Sequence, residues 1–164
     1  MASDLLIRPV ERRDGPELLA LMRALALFEG YADQFCVAEA DLDQRLFTRR
    51  DFHVLVAESG GKLAGMVVYY FLPFTYDLKP WLYVKELYVE TTFRNSGTGV
   101  ALMREVARQC VAAGGSRIKL EVLADNAGAR RFYARLGAAS NAGWETCSFH
   151  RDAIDRLAQA ITVF

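Results

Sequence analysis

Leu87-Tyr88-Val89-Glu90-Thr91-Thr92-Phe93-Arg94-Asn95-Ser96-Gly97-Thr98-Gly99-Val100 carries a strand-like run through a glycine-spaced loop straight into a helical sequence, Ala101 to Ala113. Gly97 and Gly99 have no side chains to keep backbone N–H groups from converging on an anion. The helix behind them adds unpaired N-terminal donors and the positive end of its dipole. A pyrophosphate group fits such a cradle. A tight turn with no ligand explains the same residues equally well, because small-residue turns between strand and helix are common.

Working outward from this loop, hydrophobic periodicity lays out the chain. Upstream, Trp81 to Val89 reads as a strand, preceded by a strand from Leu63 to about Phe71, a Gly60-Gly61 hairpin turn and a strand from His53 to Glu58. Before these come a short helix from Glu39 to Phe47 and an amphipathic helix from about Gly15 to Phe28. The longer helix has Leu18, Leu19, Met22, Leu25 and Ala26 on one face, and Asp14 with Glu17 at its start. Leu5 to Val10 reads as a first strand. Downstream lie a strand from Arg117 to Leu123, a helix from Asn126 to Leu136, a strand around Trp144 to Phe149 and a closing helix from Asp152 to Ala160. Strand pairs followed by alternating helix and strand argue for an α/β fold with one mixed sheet and helices on both faces.

The chain has 164 residues, 52% of them hydrophobic, which suits a single domain with a full core, residues 1–164. Its formal net charge is zero, so it has no basic field to draw it onto nucleic acid or an anionic membrane. No run of about twenty apolar residues occurs, and the start lacks an export signal, so a cytoplasmic protein is expected. Cys36, Cys110 and Cys147 are odd in number and form no Cys-x-x-Cys, which points to small buried hydrophobes in a reducing compartment. His53 and His150 have no partners at metal-ligand or nucleophile spacing, so no metal is expected and neither histidine is expected to be catalytic.

The glycine loop has a companion in Asp125-Asn126-Ala127-Gly128-Ala129-Arg130-Arg131-Phe132-Tyr133-Ala134-Arg135-Leu136-Gly137. Together the two segments resemble the GCN5-related N-acetyltransferases. That family carries Arg/Gln-x-x-Gly-x-Gly/Ala, here Arg94-x-x-Gly97-x-Gly99, and then Asn, Ala, Phe-Tyr and Gly, here Asn126, Ala129, Phe132-Tyr133 and Gly137. The resemblance implies a sheet whose central parallel strands splay apart, with the pantetheine arm of acetyl-CoA in the gap. Main-chain groups of Leu87, Tyr88 and Val89 would bond the pantetheine, and Arg94, Asn95, Ser96, Gly97, Thr98 and Gly99 would hold the pyrophosphate. Asn95 stands where the family commonly has glycine, and Asn tolerates the left-handed backbone that such a loop uses.

Asn126 either caps the helix that follows or caps it and also contacts the cofactor. Phe132 and Tyr133 occupy adjacent helix positions, and the spacing Ala129, Phe132, Leu136 assigns Phe132 to the core. In the resembling enzymes the tyrosine lies near the cofactor sulfur as a general acid. With pKa values of about 10 for a phenol and 8.5 for a thiol, that proton transfer is uphill by about 2 kcal/mol, a modest term beside a reaction barrier. A primary amine acceptor is neutral in only about one molecule in 2,500 at pH 7, a penalty of about 4.6 kcal/mol, so something must take its proton. Glu86 is the candidate base.

A closer resemblance, to the diamine and thialysine acetyltransferases, runs through Phe28-Glu29-Gly30-Tyr31-Ala32-Asp33-Gln34, Tyr69-Tyr70-Phe71, Phe74-Thr75-Tyr76-Asp77, Pro80-Trp81 and Gly143-Trp144. It implies that Glu29, Asp33, Asp77 and Trp81 border a small-molecule amine, and that the protein is a homodimer. Two departures stand against a polyamine acceptor. Lys85 replaces the first of the family's acidic pair, and Leu72-Pro73 and Leu78-Lys79 are extra. Another amine (an amino acid, an aminoglycoside, a protein N-terminus) and a non-catalytic acyl-CoA sensor stay open.

Overall fold

Gly60 and Gly61 take positive φ, 58° and 77°, the backbone of a two-residue hairpin turn that matches strand twist. They join β2 (His53–Ser59) to β3 (Lys62–Leu72), the central pair of a five-stranded sheet. β1 (Leu6–Pro9) lies antiparallel to β2, and β4 (Trp81–Val89) antiparallel to β3. β5 (Arg117–Leu120) runs parallel to β4, giving the order β1-β2-β3-β4-β5. The structure, a computed structural model, describes residues 5–140, 143 and 145–159.

Two compact units divide the chain, Met1–Asp125 and Asn126–Phe164. In the first, alternation along the strands sends one set of side chains to each face of the sheet. One face carries α1 (Gly15–Glu29) and α2 (Glu39–Asp43), whose Leu18, Met22, Leu25 and Leu42 pack on Val54, Val56, Met66 and Val68. The other carries α3 (Thr98–Ala112), whose Leu102, Val106 and Cys110 pack on Leu55, Val67, Leu82 and Val84. The mixed sheet with helices on both faces is therefore present. The second unit holds α4 (Ala127–Arg135) and α5 (Arg151–Gln159).

Several local expectations need correction. Asp14 stands at the start of α1, but its side chain makes no cap hydrogen bond to that helix and closes the preceding 3-10 turn instead. It accepts from Arg8 Nη1 at 2.7 Å and Nη2 at 2.9 Å and from the Glu11 amide at 2.7 Å, and Arg8 holds its carboxyl below the usual range. Glu17 accepts instead from the Leu63 amide at 2.8 Å, tying α1 to β3. β5 stops at Leu120, short of Leu123. Residues 145–150 form no strand, while Trp144 and Ala160 lie outside the described residues. Cys110 is buried as expected, but Cys36 and Cys147 are exposed.

Candidate active site

β4 changes character half-way along. Trp81–Val84 is bonded on both edges, to β3 and to β5, and the parallel ladder ends at Val84↔Leu120. From Lys85 to Val89 the strand continues beside β3 only, among the described residues, which is the splay that frees main-chain groups on one edge. At the changeover, Val84 and Glu86 pair with consecutive β3 residues, Tyr69 and Val68, so Lys85 is the extra residue of a β-bulge. The bulge exchanges faces. Leu82 and Val84 point into the α3-side core, and Leu87 and Val89 do so after it, so Glu86 and Tyr88 turn to the α1 side. In an unbroken strand Glu86 would follow Val84 into the α3-side core.

On the α1 side lies a cavity of about 490 Å³, lined by Lys85 and Glu86 together with Tyr31, Arg45, Asp51 and Tyr70. Burial raises the Glu86 carboxyl pKa. Lys85 and Arg45 oppose that shift, and the like charge of Glu29 reinforces it. Burial, then Glu86 and Glu29, push the Tyr31 phenol up to about 12, so it keeps its proton at neutral pH. Glu29 ends α1, where Gly30 at φ 81° turns the chain toward Tyr31. Desolvation raises its carboxyl against the opposing charge of Lys85. Arg45 comes from a π-helical turn, Gln44–Arg49, a conformation frequent at functional sites. Its Nε donates to Asp51 at 3.4 Å and its guanidinium lies 4.8 Å from the Phe52 ring.

The glycine loop follows β4. Gly97 at φ 88° and Asn95 at φ 60° take left-handed conformations, so asparagine does stand in for glycine at the second of these positions. Gly97 offers α3 no side-chain cap, and the helix's first amides have no intrahelical acceptor, which leaves donors for an anion. Ser96 Oγ donates to Phe93 O at 2.6 Å and lies 2.9 Å from Thr98 Oγ1, fixing the turn. The Arg94 side chain is engaged elsewhere. Its Nε donates to Val89 O at 2.9 Å and its guanidinium sits 5.5 Å from the Tyr88 ring and 5.6 Å from Phe28. One carbonyl at the strand's free end is thus already taken.

In the second unit, Asn126 Oδ1 accepts from the Ala129 amide at 3.0 Å, so its capping role is present. Phe132 and Tyr133 are both half-buried, and despite adjacent positions their rings meet edge to face at 5.1 Å. Asp33 is exposed on a short turn after α1 and does not itself line the cavity, though Tyr31 before it and Gln34 after it do. Asp77 Oδ1 accepts from the Lys79 amide at 3.0 Å, closing its own loop. Trp81 packs on Phe74 at 4.2 Å and under the Arg117 guanidinium at 4.3 Å, also away from the cavity lining. Sequence reasoning missed Arg45 and Asp51. Among the described residues no group of histidine, cysteine and acidic side chains is arranged to hold a metal ion.

The acetyltransferase (GNAT) family model matches residues 19–138. The chain belongs to the GNAT family. This GNAT chain is 32% identical to the thialysine N-epsilon-acetyltransferase of Sus scrofa, over 96% of its own length and 99% of that protein's. It is 29% identical to spermidine/spermine N(1)-acetyltransferase-like protein 1 of Homo sapiens, over 89% of its own length and 22% of that longer chain. An integron cassette protein from the mobile metagenome of V. cholerae shares the GNAT fold at a TM-score of 0.80 and 22% identity, covering 98% of this chain and 99% of that one. The GNAT chain is an N-acetyltransferase, of a family that acts on amines.

Proposed function

We propose that the protein transfers an acetyl group from acetyl-CoA to a primary amine of a small molecule (a diamine, polyamine or thialysine-like compound) by direct attack in a ternary complex. The observation that carries the reading is the bulge at Lys85, which turns Glu86 into the 490 Å³ cavity beside the free edge of β4. The cavity receives the amine. Glu86, with its raised pKa, accepts the ammonium proton directly or through water, which offsets the amine's penalty at neutral pH. Glu29 adds negative charge nearby.

The free edge at Leu87, Tyr88 and Val89 and the amides from Asn95 to Gly99 supply what a pantetheine arm and a pyrophosphate need, while the Arg94 amide already donates to Thr91 O. Arg94 gives up Val89 O if that carbonyl is to take a pantetheine amide. Asn126 adds to the cofactor's binding, and Tyr133 returns a proton to the departing thiolate. Both assignments rest on the match of Asn126–Gly137 to the family's second motif. The reading gives no part to Asp33, Asp77 or Trp81. The closer resemblance, to the diamine and thialysine acetyltransferases, implies a homodimer, and three scattered cysteines with no Cys-x-x-Cys suit a reducing cytoplasm.

Thiol release from acetyl-CoA against a panel of amines tests the proposal. Glu86→Gln is expected to lower turnover by about 10²-fold or more and to abolish the acidic inflection of the pH–rate profile. Tyr133→Phe is expected to lower turnover far more than acetyl-CoA affinity. An unchanged pH profile in the first variant removes Glu86 as base, and unchanged turnover in the second removes Tyr133.

A further inference from the structure

The cavity is not lined as a site for a plain polycation. A diamine or polyamine carries ammonium groups and calls for carboxylates around it, yet the residue beside the proposed base is a lysine. Lys85 stands at the bulge, exposed and lining the same cavity as Glu86, and its charge opposes the rise in the Glu86 pKa. Among the described residues Lys85 makes no ion pair. Arg45, the other cation in the lining, is differently placed, since it is held against Asp51 and the Phe52 ring. Asp51 in turn is shared with Arg49, whose Nε donates to it at 3.1 Å, so that carboxylate is committed. What remains is an exposed ammonium in no direct ion pair, whose charge acts on the Glu86 and Glu29 carboxyls without being held by either.

We propose that Lys85 binds a carboxylate of the acceptor, so that the substrate is an amino-acid-type amine, with Glu86 at its reacting nitrogen and Lys85 at its acid group. This deepens the acetyltransferase reading and rests on it. The bulge is what lets two adjacent residues serve one molecule, because in an unbroken strand they would face opposite sides of the sheet. A substrate with both charges meets a partner for each, whereas a diamine brings a second ammonium up against Lys85. Lys85 is thereby a specificity-determining residue, a role the acidic residue of the resembling family at this position does not play.

Pairs of acceptors that differ only by the carboxylate test the proposal: lysine against cadaverine, and ornithine against putrescine. The wild-type protein is expected to favour the carboxylate-bearing member in kcat/KM by about 10-fold, the ratio that corresponds to about 1.4 kcal/mol. Lys85→Ala is expected to erase most of that preference, through a higher KM for the amino acids and a raised kcat/KM for the diamines. Lys85→Glu is expected to invert it, and Lys85→Arg to retain it. Equal use of both members by the wild type, or a uniform loss across all acceptors in Lys85→Ala, overturns the proposal. Acetylation of amines outside these pairs alone sinks this inference while the acetyltransferase reading survives. Silence toward every amine, with acetyl-CoA bound, sinks both.

Discussion

The two halves of β4 share a strand and do opposite jobs. Trp81–Val84 is bonded on both edges and buries Leu82 and Val84 in the α3-side core. Lys85–Val89 is bonded to β3, has no strand on its other edge among the described residues, and presents Lys85 and Glu86 to a cavity. One inserted residue separates them. A regular strand fully paired between neighbours can only be scaffold, since its main-chain groups are used and its side chains alternate into two cores. Ending one ladder releases main-chain donors and acceptors, and bulging out Lys85 keeps Glu86 on the cleft side where regular alternation through Lys85 would turn it into an apolar core. The cavity needs no separate loop to present that carboxyl.

Removing the carboxyl from the cavity half is the most direct way to break this contrast. Glu86→Ala leaves the strand and its bulge in place and takes away only the proposed base, so turnover is expected to fall by about 10²-fold or more. Deleting Lys85 is the gentler probe, because Glu86 then directly follows Val84 and strict alternation keeps it on the α1 side in regular register with β3. That variant should keep turnover while losing what the Lys85 side chain contributes. Thiol-release assays and thermal unfolding on the two variants decide it, and a Glu86→Ala protein that turns over normally would show that this carboxyl does not set the site.

Leu82→Ala probes the scaffold half. Leu82 is wholly buried at 0% exposure, and truncating such a leucine costs about 2–5 kcal/mol through lost burial and the cavity left behind. Denaturant unfolding should show that loss, while turnover measured well below the lowered midpoint stays within a few-fold of wild type. A specific collapse of turnover at that temperature would mean that the two halves are not separable.

Much of this was open to reading before the structure, because the features concerned are local. The strand-to-helix loop, the hairpin glycines and the Asn126 cap are set by residues close in the chain, and each is present. The bulge leaves a trace too, since the inward step from Val84 to Leu87 spans three residues where alternation demands two. Leu82-Tyr83-Val84-Lys85-Glu86-Leu87-Tyr88-Val89 otherwise reads as one continuous strand, and the odd step passes unnoticed. Arg45 and Asp51 reach the cavity only through tertiary folding, with no motif to mark them. Asp14 and Glu17 fit a helix start on spacing alone, yet Arg8 and the Leu63 amide, both on strands, claim their carboxylates. Long-range partners of this kind are invisible to a local pattern.

The smallest expected effect sharpens the contrast from the functional side, because a half-buried carboxylate in no ion pair among the described residues should weaken the fold that holds it. Burial raises the Glu86 pKa, so the folded state carries the carboxylate charge less easily than the unfolded chain does. That destabilisation is absent below the ordinary carboxylate range, where both states are protonated. It grows as pH rises from the unfolded pKa to the raised folded one, and is constant above. Glu86→Gln, expected to lower turnover, should therefore melt at a higher temperature than wild type at pH 7, by a margin that shrinks as pH falls through the carboxylate range. Asp14, held low by Arg8, titrates alike in both proteins and cancels from the difference. Thermal midpoints across pH measure the margin. A difference that does not change with pH would mean that the Glu86 carboxyl is as well solvated in the folded protein as in the unfolded chain, and would take away the reason for its raised pKa.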